Sequence, residues 1–461
     1  MHSETLLSGQ CITMDFGWQV RITVDSDCDF LEHIVIYNKG VYMKFTFYVR
    51  NAFGIKEDFI NIDPVSFFVG ENSTGKTSYL ILLYSLLTNG IEYRNIDFIG
   101  NSFSEIKSKN AASKLFRLGL FVAGKNNQCI VVDFKDSNGF PVIYQCAFRI
   151  ESFELKIRIT DKFIFYKITH IDSKEGISDS EFRQWAIDIT FNDNYTRINH
   201  DLTNMNSLLF HIVDHLIKIK KYEDITKITK FSSEGVGAII PCWIAPIRSK
   251  PLKVYGEEYS RAFDSEGRNI PYLLKEQVEK RLTKTTQMIN KFGKDSGMFD
   301  SIAINKYDKS GLGPFSIEVI KQSIRTNIKN VGYGVSQILP ILFYLFAVRN
   351  NAVFFIQQPE VHLHPKAQAA LGELLFELAK ENRHTFLIET HSEYLIDRYR
   401  VCLNKSTEIK VDSKVLYYEK QKGENAIFSI RIDDKGKYEE NQPSSFRDFF
   451  INEAMSQFNI I

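Results

Sequence analysis

Residues 70–77 read Gly70-Glu71-Asn72-Ser73-Thr74-Gly75-Lys76-Thr77, and this stretch decides the fold. The apolar run PVSFFVG (64–70) before it has the composition of a strand, and apolar residues at helical spacing follow it. A glycine-rich loop between strand and helix directs backbone N–H groups at a phosphate. The spacing predicts that residues 70–78, including Ser78, bind ATP. Lys76 would contact the β- and γ-phosphates, and the Thr77 hydroxyl would contact Mg²⁺.

A second motif begins at the apolar strand VFFI (353–356), which ends in Gln357 and Gln358 and continues with Pro359 and Glu360. ATPases usually carry two carboxylates at the end of this strand, one for Mg²⁺ and one for the attacking water. An amide is neutral and cannot accept a proton at neutral pH. We therefore expect Gln357 at the metal position, Gln358 at the catalytic position, and slow or absent hydrolysis. Glu360 and Glu389 are candidate replacement carboxylates, and a plain core strand followed by a turn is the alternative.

Two further segments complete the set of motifs. Val331-Gly-Tyr-Gly334-Val-Ser336-Gln opens an apolar helix, which we expect to start at Ser336 and to be capped by it. A glycine-rich helix start binds anions, although an ordinary cap is the alternative. His391 follows the strand TFLI (385–388), where it can hydrogen-bond a γ-phosphate. A purely structural histidine is the competing interpretation.

The rest of the chain supports an α/β fold. Hairpin-like runs from about 115 to 171 predict an antiparallel β lobe, and 205–230 and 271–292 look helical. The last third alternates helices and strands, which predicts a mostly parallel core sheet. Short strands are also predicted at 20–24 and 33–37. We expect residues 1–42 to be a separate segment of unclear role and 43–461 to be one ATPase domain. Its antiparallel and helical insertion would span about 100–320, without a coiled-coil arm.

Composition is that of an ordinary globular protein. The 461 residues are 44% hydrophobic and carry a formal net charge of +1, which gives no global field for nucleic acid. No apolar stretch reaches the length of a membrane span, and the six cysteines lack a metal-binding spacing. These features predict a cytoplasmic protein with reduced thiols and no membrane partner.

Two charged stretches invite a functional interpretation but favour a structural one. The lysines between 218 and 230 could follow a phosphate backbone, yet a solvated helix face is the simpler interpretation. Asp433-Asp434-Lys435-Gly436 has acidic residues that could hold a metal. It is better explained as a turn belonging to the strands VLYYEKQ (415–421) and AIFSIRID (426–433).

The order of these motifs resembles that of the ABC-type ATPases of the RecF, SMC and OLD kind. The segments WIAPIRSKPLKVY (243–255), VGYGVSQILP (331–340) and QQPEVHLHP (357–365) are similar to AAA-15/AAA-21 ATPases with a DUF3696-like tail. The resemblance implies a homodimer or higher homo-oligomer. In such an oligomer, Lys76, Thr77 and His391 would contact the nucleotide of their own chain, while Gly334 and Ser336 would contact the nucleotide of the partner chain.

The same resemblance extends to the ATPase subunits of anti-phage systems, first Septu and second PARIS. It implies ATP and Mg²⁺ as cofactors and a separately encoded nuclease partner, of the HNH type first and the TOPRIM type second. The residues after His391 are too few for a fused TOPRIM domain. DNA or a phage component is the expected trigger. The alternatives are a RecF-like DNA-repair ATPase acting directly on DNA and, last, a transporter ATPase subunit.

Overall fold

The computed structural model describes most of the chain from Lys44 to Asp448. The described residues are 44–89, 98–109, 111–124, 127–171, 176–192, 194–199, 208–233, 239–256, 264–279, 283–308, 313–348, 352–382, 384–406, 410–421 and 424–448. The strands predicted at 20–24 and 33–37 lie outside them.

The strands alternate between short hairpins and isolated runs. In chain order they are β1 (Lys44–Ala52), β2 (Ile55–Ile62), β3 (Val65–Gly70), β4 (Phe116–Ala123), β5 (Gln128–Ser137), β6 (Phe140–Ile150), β7 (Phe153–Ile159), β8 (Phe163–His170), β9 (Thr196–Asn199), β10 (Ile240–Ile244), β11 (Ser301–Lys306), β12 (Phe315–Lys321), β13 (Ile324–Asn327), β14 (Ala352–Gln357), β15 (Thr385–Glu389), β16 (Ser413–Gln421) and β17 (Glu424–Ile432).

The helices are distributed over both halves of the chain, and the longest ones lie in the second half. In chain order they are α1 (Lys76–Asn89), α2 (Phe103–Ile106), α3 (Asp179–Asp188), α4 (Leu208–Lys218), α5 (Tyr222–Ser233), α6 (Ile270–Glu279), α7 (Thr283–Ser296), α8 (Tyr333–Ala347), α9 (Pro365–Asn382) and α10 (Glu393–Lys405).

The core sheet has the strand order β10-β14-β15-β3-β16-β17. All neighbours from β10 to β16 pair in parallel, and only the last hairpin is antiparallel. Strands β3, β14 and β15 are buried along their whole length, because helices cover a parallel sheet on both faces. Their carboxyl ends therefore meet at one edge of the sheet, where polar side chains from different strands come together.

The second large sheet is antiparallel, with the order β2-β1-β4-β5-β6-β7-β8-β9. It begins at Lys44, before the P-loop, so the strands predicted from about 115 join a hairpin that precedes residue 70. One face packs with α1 in a large apolar core, and the other packs against Phe182 and Trp185 of α3. A second large core lies between the parallel sheet and helices α8, α9 and α10.

Helix α1 is fixed to the parallel sheet by aromatic side chains. The ring of Tyr84 lies 5.1 Å from that of Trp243 in β10 and 5.4 Å from that of Phe355 in β14. Such aromatic contacts contribute stability beyond the area they bury. They hold α1, which begins at the P-loop, against β10 and β14.

Several elements differ from the sequence-based expectation. Helix α8 begins at Tyr333 instead of Ser336, because Gly332 occupies the N-cap position. The sequence patterns did not predict the antiparallel sheet β11-β12-β13 or helix α3 individually. The predicted turn at residues 433–436 is present: Asp433 Oδ1 accepts hydrogen bonds from the backbone N–H groups of Lys435 and Lys437.

Candidate functional site

The P-loop connects the end of β3 to the start of α1, as its sequence predicts. Its backbone has positive φ at Gly70 (137°), Ser73 (61°) and Gly75 (94°). A tight turn of this kind, leading into a helix, directs consecutive N–H groups into one concave space. Glu71, Asn72 and Ser73 are exposed at its rim, whereas Thr74 is buried and its Oγ1 donates to the carbonyl of Glu71 at 2.7 Å. Ser78 is half-buried in the first turn of α1.

Gly70 is required by a close approach of two strands. A Cβ at this position would lie 2.9 Å from the carbonyl carbon of Tyr418 and would collide with the carbonyl oxygen. The neighbour is backbone of β16, which pairs in parallel with β3. Only glycine fits there, because the φ of 137° and the contact both exclude a side chain.

Lys76 points back over its own loop. Its Nζ donates to the carbonyl oxygens of Gly70 at 2.8 Å and Glu71 at 2.5 Å. Burial lowers the pKa of this ammonium, and the charges of Glu389 and Glu71 oppose the shift. Two loop carbonyls and the charge of Glu389 favour the charged form of Lys76. The ammonium is therefore positioned to bind an anion that enters the loop.

Glu389 contacts the P-loop threonine. The Thr77 hydroxyl lies 2.8 Å from both Oε1 and Oε2 of Glu389. The register of β14 and β15 places Gln357 beside Glu389, and Gln357 Nε2 donates to Glu389 Oε2 at 3.2 Å. The structure therefore brings a hydroxyl, a carboxylate and an amide, all predicted site residues, to one point at the sheet edge.

Gln358 and Glu360 form the turn that leaves β14. Gln358 is half-buried with a φ of +42°, and its N–H donates to the carbonyl of Glu389 at 2.7 Å. Glu360 is buried and its Oε1 accepts the backbone N–H of His391 at 2.7 Å. Burial raises the pKa of Glu360, with the N–H of His391 opposing the shift. The second candidate carboxylate is thus engaged by the backbone that positions the histidine.

His391 lies between the end of β15 and the start of α10. Its side chain reaches solvent, but partial loss of hydration lowers the pKa of the imidazole, and the Lys76 cation lowers it further. The Glu389 charge opposes this shift. Ser392 is the N-cap of α10, with its Oγ accepting from the N–H of Leu395 at 3.1 Å, so the histidine has a fixed backbone. The imidazole therefore interacts electrostatically with both Lys76 and Glu389.

The start of α8 differs from the prediction in one respect. Ser336 is the fourth residue of the helix, and its Oγ donates to the carbonyl of Tyr333 at 2.8 Å. Ser336 is buried, so it neither caps the helix nor presents its hydroxyl at the surface. Gly334 packs closely: a Cβ there would lie 2.6 Å from the carbonyl oxygen of His362. The accessible part of the helix start is Gly332 and Tyr333.

Arg248 belongs to the site, although no motif assigns it a role. Its side chain is only 1% exposed, and Nη2 donates to the carbonyls of Gln357 and Gln358 at 3.2 Å each. Burial lowers its pKa to about 10, and the charge of Glu360 opposes the shift. Its backbone makes two long hydrogen bonds, of 3.4 and 3.5 Å, with the amide of Gln337 in α8. Arg248 thus links α8 to the turn after β14.

Lysines of the stretch 218–230 form ion pairs within the chain, which favours a structural role for them. Lys227 and Lys230 both bind the carboxylate of Glu151, and Lys218 pairs with Asp214 at 2.6 Å. These lysines are therefore engaged by acidic side chains of the same chain.

The family comparison agrees with this geometry. The AAA_15 family, described as an AAA ATPase domain, matches residues 43–396. The chain belongs to this family. The match runs from the first described strand past the P-loop, the Gln357 turn and His391, so it covers the elements that build the site. Within the described residues, no helix is both long and apolar enough to cross a membrane.

Individual proteins with similar sequence or structure are more distant. The chain is 22% identical over 398 residues to the OLD nuclease of Thermus scotoductus (strain ATCC 700910 / SA-01), covering 83% of this chain and 65% of that protein. The chain thus spans 65% of the length of this curated relative.

Similar solved structures include an SMC head bound to the C-winged helix domain of ScpA, with a TM-score of 0.45 and 12% identity over 85% of this chain and 98% of the other. The SMC head domain of Thermotoga maritima gives a TM-score of 0.37 and 9% identity over 84% and 99%.

Proposed function

We propose that this AAA-family chain is an ATP-binding subunit that hydrolyses slowly or not at all and signals by nucleotide occupancy. The observation that carries the proposal is a fully formed P-loop next to a strand that ends in Gln357 and Gln358 instead of two carboxylates. Binding and hydrolysis depend on different groups, so one can persist while the other is weak.

The loop fits a triphosphate. A buried lysine held over the loop, consecutive N–H groups at a helix start and the Thr77 hydroxyl are the groups that bind phosphate and its metal in this type of loop. Thr77 would hold Mg²⁺ together with the phosphate oxygens, on the side of the loop where β14 ends in Gln357, and Mg²⁺ would neutralise charge on the phosphates.

Slow hydrolysis follows from where the nearby carboxylates lie. Glu389 is engaged by Thr77 and Gln357, and Glu360 accepts the backbone N–H of His391. Both carboxylates are thus held by other groups of the protein, and the Gln358 amide cannot accept a proton in their place. The loss of a general base typically lowers the rate by about 10²–10⁴. ATP occupancy would therefore last long enough to act as a signal.

A homo-oligomer is the second part of the proposal. Gly332 and the exposed Tyr333 present the start of α8 to solvent, and a helix start with free N–H groups attracts anions. A second copy of the chain would bring its own P-loop nucleotide to this helix start, with Gly334 close behind it.

The third part is regulation of a separately encoded nuclease in anti-phage defence, of the HNH type first and the TOPRIM type second. Support comes from the likeness to an OLD nuclease of which this chain spans 65%. Direct action on DNA, as in RecF-like repair, is less favoured because Lys218, Lys227 and Lys230 are bound by acidic side chains.

Calorimetry tests the nucleotide site. Lys76→Ala should weaken ATP binding markedly in the presence of Mg²⁺, because it removes the cation that contacts the β- and γ-phosphates. Lys56→Ala, at an exposed position on β2, is the matched control and should bind ATP like the wild type. Equal affinity of the Lys76 variant and the wild type would refute the assignment of the P-loop.

Two further measurements test the assembly and the partner. Light scattering with ATP and Mg²⁺ should detect a dimer or larger species, and the Lys76→Ala variant should shift it towards monomer. A monomer alone at micromolar protein would contradict the oligomer. Co-expression with a nuclease encoded by a neighbouring gene should give a complex whose nuclease activity depends on ATP. A free nuclease with unchanged activity would contradict regulation.

A further inference from the structure

The P-loop threonine contacts a carboxylate from an unexpected strand. ATPases of this kind usually supply the metal-side carboxylate from the strand that here ends in Gln357. In this chain the Thr77 hydroxyl instead lies 2.8 Å from both carboxylate oxygens of Glu389, at the end of the next strand.

The sheet register explains how Glu389 reaches this position. Parallel β14 and β15 place Gln357 level with Glu389, and β15 places Glu389 level with Phe68 of β3, just before the P-loop. Glu389 is therefore nearer in strand order to the loop than Gln357 is. The Gln357 amide donates to Glu389 Oε2 at 3.2 Å and so helps to orient the carboxylate.

The Glu389 charge acts on the groups that would surround a nucleotide. Glu389 is 5% exposed. It is the largest charge that favours the Lys76 ammonium and also opposes the pKa decrease of His391. A buried anion beside a threonine hydroxyl suits a divalent cation, because Mg²⁺ takes oxygen ligands from one or two carboxylates and from phosphates.

We propose that Glu389 provides the metal-side carboxylate for Mg²⁺–ATP and that Gln357 has become its orienting partner. The assignment rests on the proposed function, since it needs ATP in the P-loop. It gives Glu389 the role of holding the metal, directly or through water, instead of accepting a proton from the attacking water. A hydrogen bond that only stabilises the fold is the outcome against which the experiment must discriminate.

The experiment measures how much Mg²⁺ increases ATP affinity, by calorimetry in excess Mg²⁺ and in EDTA. Glu389→Gln should reduce this Mg²⁺-dependent gain about 10–100-fold, as is typical when a group supporting a metal is lost. Its ATP affinity in EDTA should stay close to that of the wild type, because Lys76 and the loop N–H groups remain. Mn²⁺ added with ATP provides a second readout, since its paramagnetic resonance signal should reveal weaker retention of the ion.

The exchange variant Gln357→Glu/Glu389→Gln is the matched control, because it keeps one carboxylate and one amide on the same two strands. It should recover most of the Mg²⁺-dependent gain, and it tests the proposal even if the single variant does not fold. A Glu389→Gln protein with full Mg²⁺ dependence, or a folded exchange variant without any, would overturn the assignment. Failure of the wild type to bind ATP even in Mg²⁺ would instead overturn the proposed function.

Discussion

Replacement of Gly70 by alanine should cost much more stability than the same change at Gly54. Gly70 has a φ of 137°, and forcing alanine into such a sparsely populated region costs about 1–3 kcal/mol. The added Cβ also meets the Tyr418 backbone, at 2.9 Å from its carbonyl carbon. That backbone is paired on both sides, with β3 and with β17, so it cannot move away cheaply. Overpacking of this kind adds about 1–3 kcal/mol, giving about 2–6 kcal/mol in total.

Gly54 separates the two contributions. It lies in the turn between β1 and β2 with a φ of 80°, and a Cβ there would have no atom within 4 Å. Gly54→Ala should therefore lose only the conformational part, about 1–2 kcal/mol. Urea unfolding followed by circular dichroism measures both, provided that the m-values agree. Calorimetry should also detect weaker ATP binding in the Gly70 variant alone. Equal stability losses in the two variants would refute the argument from the close approach of β3 and β16.

Three other predictions concern catalysis, pH and the buried arginine. Wild-type phosphate release should be far below the ~10 s⁻¹ of a median enzyme. Gln358→Glu should raise the rate of phosphate release about 10²–10⁴-fold. The assigned site would be contradicted if the wild type turned over near ~10 s⁻¹ and Glu360→Gln left that rate unchanged. His384 is buried and burial lowers its pKa to about 4 from an ordinary 6.5, so between these values the unfolded chain binds a proton that the folded chain does not. Stability should therefore fall as pH decreases from 6.5 to 4, by about 3 kcal/mol from this group, and His384→Gln should remove that part of the slope in urea unfolding. An identical slope would disprove the account. Arg248→Met should destabilise the protein by about 1–3 kcal/mol, because it leaves the buried carbonyl of Gln357 without its donor. Glu360→Gln should be less destabilising in the Arg248→Met protein than in the wild type, because the Arg248 charge favours the Glu360 carboxylate. Simple additivity of the two changes would contradict the coupling.

The local motifs of the site were predictable from sequence because each is encoded in a short run. The strand, loop and helix around residues 65–89 follow from apolar spacing and from the glycines and lysine of the loop. The alternating elements of the last third predict parallel pairing, and β14, β15 and β3 do pair in parallel.

The contacts between motifs could not be predicted in the same way. The sequence suggests Glu389 as a carboxylate near the γ-phosphate, but only the register of β14, β15 and β3 places it on Thr77. Arg248 lies in the segment 243–255, in which the sequence indicates only a family resemblance. Its link to Gln337 and to the turn after β14 depends on tertiary packing.

Helix starts were the least predictable local feature. Ser336 has the side chain of an N-cap, and a serine before an apolar run favours a helix start. Gly332 is an equally permitted cap and lies one turn earlier, so the helix begins there and buries Ser336. Propensity alone could not decide between the two residues, because the close contact of Gly334 with His362 is a tertiary constraint.

The strand order of the core sheet has a consequence for folding during synthesis on the ribosome. Strand β3 lies between β15 and β16, and Thr77 and its partner Glu389 are 312 residues apart in the chain. At about 5–20 residues per second, the ribosome needs about 15–60 s to deliver the second residue after the first. All the strands of the antiparallel sheet have emerged by residue 199, so that sheet can assemble while the apolar β3 still lacks both neighbours. Between residues 199 and 389 the nascent chain therefore carries a complete antiparallel lobe and an incomplete nucleotide pocket, and a chain interrupted before residue 389 lacks the Glu389 side of that pocket.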